Sequence, residues 1–133
     1  MYSLINAKNA AIAFAVAFIG AGVLGFVPNP LVSPDGVFAV NAVHNLVHII
    51  TGAAFLIGAI WLGAPRWTLL AIGVGYVAVS VLGFLTTGDT LLGLIHINEA
   101  DRWLHLGLAA VILGAGLAVP EEHSASTAKG HAA

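Results

Sequence analysis

Residues 37–63 read VFAVNAVHNLVHIITGAAFLIGAIWLG. The stretch contains no Asp, Glu, Lys or Arg. It is also longer than the roughly 20 residues that an α-helix needs to cross the hydrocarbon core of a bilayer. Two histidines and two asparagines stand near its front. An apolar span with ionisable side chains close to one end raises two questions: in what solvent the chain folds, and what its few polar groups do there.

Three further stretches, at about residues 10–27, 67–85 and 91–119, are also long and apolar enough to span, the last with Glu99, Asp101 and Arg102 in its front part. The 133-residue chain is 59% hydrophobic and 8% charged, whereas a soluble domain carries about 25% charged residues. The polar surface needed to cover a core in water is missing, so the lipid bilayer is the expected solvent. The expected fold is an all-α membrane protein: one domain over residues 1–119, with four transmembrane helices at about 10–27, 37–63, 67–85 and 91–119. The second and fourth stretches exceed the hydrocarbon thickness, so their first turns should emerge at one surface, with Ser33 and Thr90 as candidate helix caps. The tail at 120–133, PEEHSASTAKGHAA, is small and polar and is expected to be disordered. Its His123 and His131 are read as solvated side chains.

The first span resembles a secretory signal only superficially. Its apolar run is longer than the roughly 7–15 residues of a signal core, and FVPNP ends it like a helix stop. The net charge of −2 gives no footing for a nucleic-acid partner, and the absence of cysteine excludes thiolate metal sites and iron–sulfur clusters. Lys8, Arg66 and Lys129 fall on the side of the two termini, while Asp35, Asp89, Glu99 and Asp101 fall on the other with Arg102. By the positive-inside rule the termini are cytoplasmic and the loops at 28–36 and 86–92 face outward.

The chain also repeats itself. GVLGFVPNPLVSPDGVFAVNAVHNLVH, from Gly22, has a counterpart in SVLGFLTTGDTLLGLIHINEADRWLH, from Ser80. Both carry VLGF at the end of a span, a short loop and the start of the next helix. Offset by 57 positions, Asn41 falls on Asn98, His44 on Asp101, Asn45 on Arg102 and His48 on His105. The expected architecture is two parallel helix-pair repeats related by a pseudo-twofold axis along the membrane normal.

Positions i, i+3 and i+7 share a helix face. Asn41, His44 and His48 therefore form one polar stripe, and Asn98, Asp101 and His105 form another, facing it across the bundle. At about 1.5 Å per residue, His48 and His105 lie at matching depth, roughly 9 Å inside the outer boundary of the core. Ionisable groups at such depth usually pair or line a cavity. Three readings follow. The cluster can be an interhelical hydrogen-bond network in an accessory subunit of a larger membrane complex or a homo-oligomer. It can bind a transition metal such as Zn, Cu or Fe through His44, His48, Asp101 and His105, with Asn41, Asn98, Arg102 and Asn45 as supporting groups. A b-type haem is a variant, with His48 and His105 as axial ligands, Arg102 at a propionate, and Gly52 and Gly107 leaving room for the ring. A proton or ion path finds little support, because the cytoplasmic halves of the spans are almost purely apolar. An enzymatic role finds little either, since no nucleophile–base pair or phosphate-binding glycine loop is visible.

Other features read as structural. Ala17/Ala21/Gly25 and Ala110/Gly114/Ala118 suit close helix packing. Trp61, Trp67 and Tyr76 are expected at or near the cytoplasmic side, and Trp103 at the outer headgroup level. At NAVHNLVHIITG and NEADRWLHLGL the chain resembles an uncharacterised family of small bacterial four-helix membrane proteins. Ala100, Asp101, Leu104 and His105 carry the most specific part of that resemblance. It implies a four-span fold over most of residues 10–119 and no particular activity.

Overall fold

Four helices form a bundle, and each is long and apolar enough to cross a membrane. The computed structural model describes residues 3–121; residues 122–133 of the tail, with His123, Lys129 and His131, lie outside the described residues. Helix α1 spans Ala7–Leu24, α2 Ala42–Leu56, α3 Pro65–Leu85 and α4 Glu99–Ala118. Between α1 and α2 lie β1 (Val32–Ser33) and β2 (Phe38–Ala39), paired in parallel. Between α3 and α4 lie β3 (Thr90–Leu91) and β4 (Ile95–His96), paired antiparallel. Large apolar side chains cover the outside: Val16, Ile50, Val74 and Leu117 are each at least 60% exposed. In water this surface would aggregate; against acyl chains it is the expected exterior.

The starts of α2 and α4 correct the sequence reading. The apolar residues at 37–40 and 91–97 are not first turns of helices; they belong to the strands and their connections. The helices begin after Asn41 and Asn98, which hold extended backbone at φ −129° and −132°. The Asn41 side-chain oxygen accepts from the His44 N–H at 2.9 Å, and that of Asn98 from the Asp101 N–H at 3.0 Å. Ser33 and Thr90, the expected caps, sit in β1 and β3 instead. Short apolar runs do not distinguish strand from helix. The side chain that satisfies the first orphan amides does.

At its far end α2 continues into a π-helical turn, Ile57–Trp61, before Gly63 (φ +60°) reverses the chain into Pro65. Gly58 in that turn lies against Thr68 of α3, leaving no room for a Cβ.

Packing is tightest within two pairs, α1 with α2 and α3 with α4. Helix α1 buries Ala7, Ala11, Ala15 and Gly22, and Gly52 of α2 fits against α1 at Ala15 and Ile19. In the other pair, Gly73 approaches the Leu113 backbone and Gly116 approaches Leu70. The small-residue stripes read from sequence meet these faces only in part: Gly25 packs against Asn45 of α2, whereas Ala17, Ala110, Gly114 and Ala118 are exposed. A spacing of four defines a face but not the direction in which it points.

One end of the bundle gathers the start of α1, the end of α4 and the α2–α3 connection. There the Ala7 N–H donates to the Pro120 carbonyl at 2.8 Å, and Arg66 bonds Glu121 at 3.1 Å and the Val119 carbonyl at 2.9 Å. The two strand pairs cover the other end, with β2 against α4 and β4 against α2.

Candidate metal centre

Beneath the strand pairs, His44 and His48 of α2 meet His105 of α4. Ring centroids are 4.5 Å apart for His44–His48, 5.5 Å for His44–His105 and 5.9 Å for His48–His105. All three side chains are buried, at 2%, 7% and 7% exposure. One nitrogen from each lies within 4.8 Å of one from each of the others, so the group could hold a metal ion.

Backbone carbonyls fix two of the rings. His44 Nδ1 lies 2.8 Å from the His96 carbonyl, brought over α2 by β4. His105 Nδ1 lies 2.6 Å from the carbonyl of Asp101, one turn earlier on α4. A carbonyl can only accept, so each Nδ1 carries the proton and each neutral ring keeps its lone pair on Nε2. Orientation of this kind is what metal-ligating histidines usually have. His48 differs: neither of its nitrogens has a hydrogen-bond partner among the described residues. The other two spans wall the group. Phe18 of α1 stands edge-on to His48 at 5.7 Å, and Tyr76 of α3 stacks on His105 at 5.9 Å and 7°. The Tyr76 hydroxyl shares a 3.1 Å hydrogen bond with Thr51.

The remaining residues read from sequence are placed differently. Asp101 is 1% exposed, but its carboxylate accepts from the Asn98 N–H at 3.2 Å and completes a capping box on α4. It neither pairs with His44 nor joins the group of nitrogens; it serves His105 through its backbone. Asn41 and Asn98 cap helices, and their amides point across the bundle rather than to imidazoles. Asn41 Nδ2 donates to the Leu94 carbonyl at 2.8 Å, and Asn98 Nδ2 to the Val37 carbonyl at 3.0 Å. Arg102 is spent on the end of α3, donating to the Gly83 carbonyl at 2.8 Å and the Gly88 carbonyl at 2.5 Å, with Glu99 at 3.3 Å. Asn45 is buried against α1, where its side chain fills the space a Cβ on Gly25 would take. Gly52 faces α1, and Gly107 has nothing near it, so neither makes room for a ring.

Sequence reasoning missed Tyr76, Ser80 and Phe18. Tyr76 was expected toward the cytoplasmic side, yet eleven residues of helix after Pro65 carry it to His105. Its spacing of four from Ser80 was the available signal, since no other polar side chains occur in the middle of that span. Trp103 does not roof the site; it is 60% exposed and its indole donates to Glu99 at 3.0 Å.

A cavity of about 400 Å³ adjoins the histidines between α2 and α3. His44, His48, His105, Tyr76, Ser80, Thr51, Asp101 and Arg102 are its polar lining residues, and the others are apolar or glycine. Two imidazoles oriented by carbonyls and the unpartnered His48 beside open space could hold a metal ion with one position left free, the arrangement in which an ion can accept an exogenous oxygen or nitrogen.

Residues 8–118 match the family model described as domain of unknown function (DUF4383). No curated protein and no solved structure matches the chain.

Proposed function

We propose that this chain, which belongs to the DUF4383 family, is a membrane metal-binding protein in which His44, His48 and His105 hold one zinc or copper ion. The observation that carries the reading is His48, a buried imidazole with both nitrogens unpartnered beside two imidazoles whose Nδ1 atoms are already anchored. Leaving a buried polar group unmatched costs about 1–3 kcal/mol, and a bound ion removes that cost. An ion about 2.0–2.1 Å from each nitrogen brings tetrahedral donors to about 3.3 Å from one another. Small side-chain rotations from the present spread supply that contraction. Nitrogen-only donors favour zinc and copper over the harder ions that prefer carboxylates.

A b-type haem fits less well. Its plane would pass between His48 and His105, and the centroid distances put the His44 ring inside the radius of such a disc. Metal analysis of protein purified in detergent and dialysed against Zn²⁺ or Cu²⁺ tests the proposal. About one equivalent in the wild type, lost in His105→Ala while circular dichroism keeps its helical signal, is the expected result. A wild type that holds no metal after loading overturns it.

A second reading also has support: the cluster as an interhelical pin in an accessory subunit. The cross-bundle bonds of His44, Asn41 and Asn98 favour it, since each joins one half of the chain to the other. The two readings separate on His105→Ala, which lowers stability in both and removes metal in only one.

The repeat and its pseudo-twofold axis belong to the same proposal. Support comes from reciprocity at the 57-residue offset: Asn41 bonds the carbonyl of Leu94, and Asn98 bonds that of Val37, the positions equivalent to each other. Each half runs helix, two short strands, helix, although the strand pairs differ in direction. We place the protein in the plasma membrane with cytoplasmic termini and the histidines toward the outer face. The positions of Lys8 and Arg66 at the terminal end support that orientation.

A further inference from the structure

We infer that the cavity beside the histidines binds a lipid-soluble quinone, a planar oxygen-bearing ring on an apolar tail that enters from the bilayer. Its volume, about 400 Å³, lies within the roughly 300–1,000 Å³ typical of small-molecule sites. At the open side, the lining residues Ile50 of α2 and Leu92 of the β3–β4 turn are 66% and 72% exposed on the apolar exterior. The entrance therefore faces acyl chains. Leu91 and Ile97, both buried, close the cavity toward the strand end.

The closed end is polar and unsatisfied. Ser80 Oγ and both nitrogens of His48 are buried without a hydrogen-bond partner among the described residues, and both side chains line the cavity. An acyl chain offers these groups nothing. Arg102 also lines the cavity, but its guanidinium is taken up by the Gly83 and Gly88 carbonyls and by Glu99, which leaves a lipid phosphate without a partner there. A quinone supplies neutral oxygen acceptors for the Ser80 hydroxyl and for an imidazole N–H or a metal ion, while its tail remains in lipid. The rings of Tyr76 and His105 line the same end, and a flat, polarisable head packs well against rings. The inference rests on the triad reading only in that the imidazoles face the cavity; it does not require that a metal be bound.

Tritiated decylubiquinone binding to the protein in phosphatidylcholine nanodiscs tests it, with metal content read on the same samples. Saturable binding near one equivalent is expected for the wild type. A Cβ on Gly75 meets nothing within 4 Å and Gly75 lines the cavity, so Gly75→Phe fills the space without moving a helix; it should weaken binding at least tenfold. Ser80→Ala, which removes one hydrogen bond, should weaken it about fivefold to tenfold. Uptake equal to empty nanodiscs overturns the inference. So does unchanged binding in both variants, or displacement by decanol as effective as by unlabelled quinone, which would mark the cavity as an acyl-chain slot. Saturable quinone binding without metal overturns the metal reading alone, and metal without quinone overturns this inference alone.

Discussion

His48 is the residue on which the metal and structural readings make opposite demands. A buried imidazole with no partner destabilises the metal-free fold, so His48→Leu should raise the stability of metal-stripped protein by about 1–3 kcal/mol, measured by thermal unfolding in detergent. In metal-loaded protein the same substitution should remove the stabilisation that the ion provides, about 2.7 kcal/mol at a hundredfold excess over the dissociation constant. If His48→Leu destabilises the stripped protein, the imidazole has a structural role and the metal reading loses its main support. The three histidines were legible in the sequence because hydropathy makes an ionisable group in a span conspicuous and helical spacing fixes its face. The roles of Asp101, Asn41, Asn98 and Arg102 were not. Each carries a polar group that a backbone can claim, and which one claims it depends on chain path, not on side-chain type. Asp101 shows this most clearly: its carboxylate went to an amide three residues back in its own chain, while its carbonyl took the functional position.

At the scale of the element, the asparagine caps should matter more than their size suggests. Asn98→Ala removes a capping box and a bond across the bundle. It should cost about 1–2 kcal/mol by the usual worth of a cap, readable as a lowered unfolding midpoint. Asn29→Ala should leave the α4 end undisturbed, because the Asn29 side chain bonds the backbone of Leu24, Val27, Leu31 and Val32 at and after the end of α1. The turn between β3 and β4 carries a different kind of strain. Leu92 has φ +52° beside Gly93 at +71°, the pair of positive values of a type I′ turn. Leucine is a poor occupant of that conformation, so Leu92→Gly should raise stability by up to about 1 kcal/mol in the same measurement; a loss would mean that the side chain's packing at the cavity mouth outweighs the strain. The four spans could be read from composition and length alone. Their starts and their packed faces could not, because both depend on local hydrogen bonding and on which neighbour each helix meets.

For the whole molecule, the proposed orientation makes a direct prediction. Cysteine introduced at Ser33 should react with a membrane-impermeant maleimide added to intact cells, and cysteine at Ser3 should react only after lysis; the reverse pattern inverts the topology. The reciprocal bonds between the two halves bear on synthesis as well as on architecture. His105, Leu94 and Asn98 all lie beyond α3, so a chain still emerging from the ribosome with three spans inserted has two rings of the triad and neither of the two locks between the halves. Any ligand held by all three rings must therefore be acquired after translation of α4, and a chain truncated before that helix should be inert toward such a ligand however well its first helices insert.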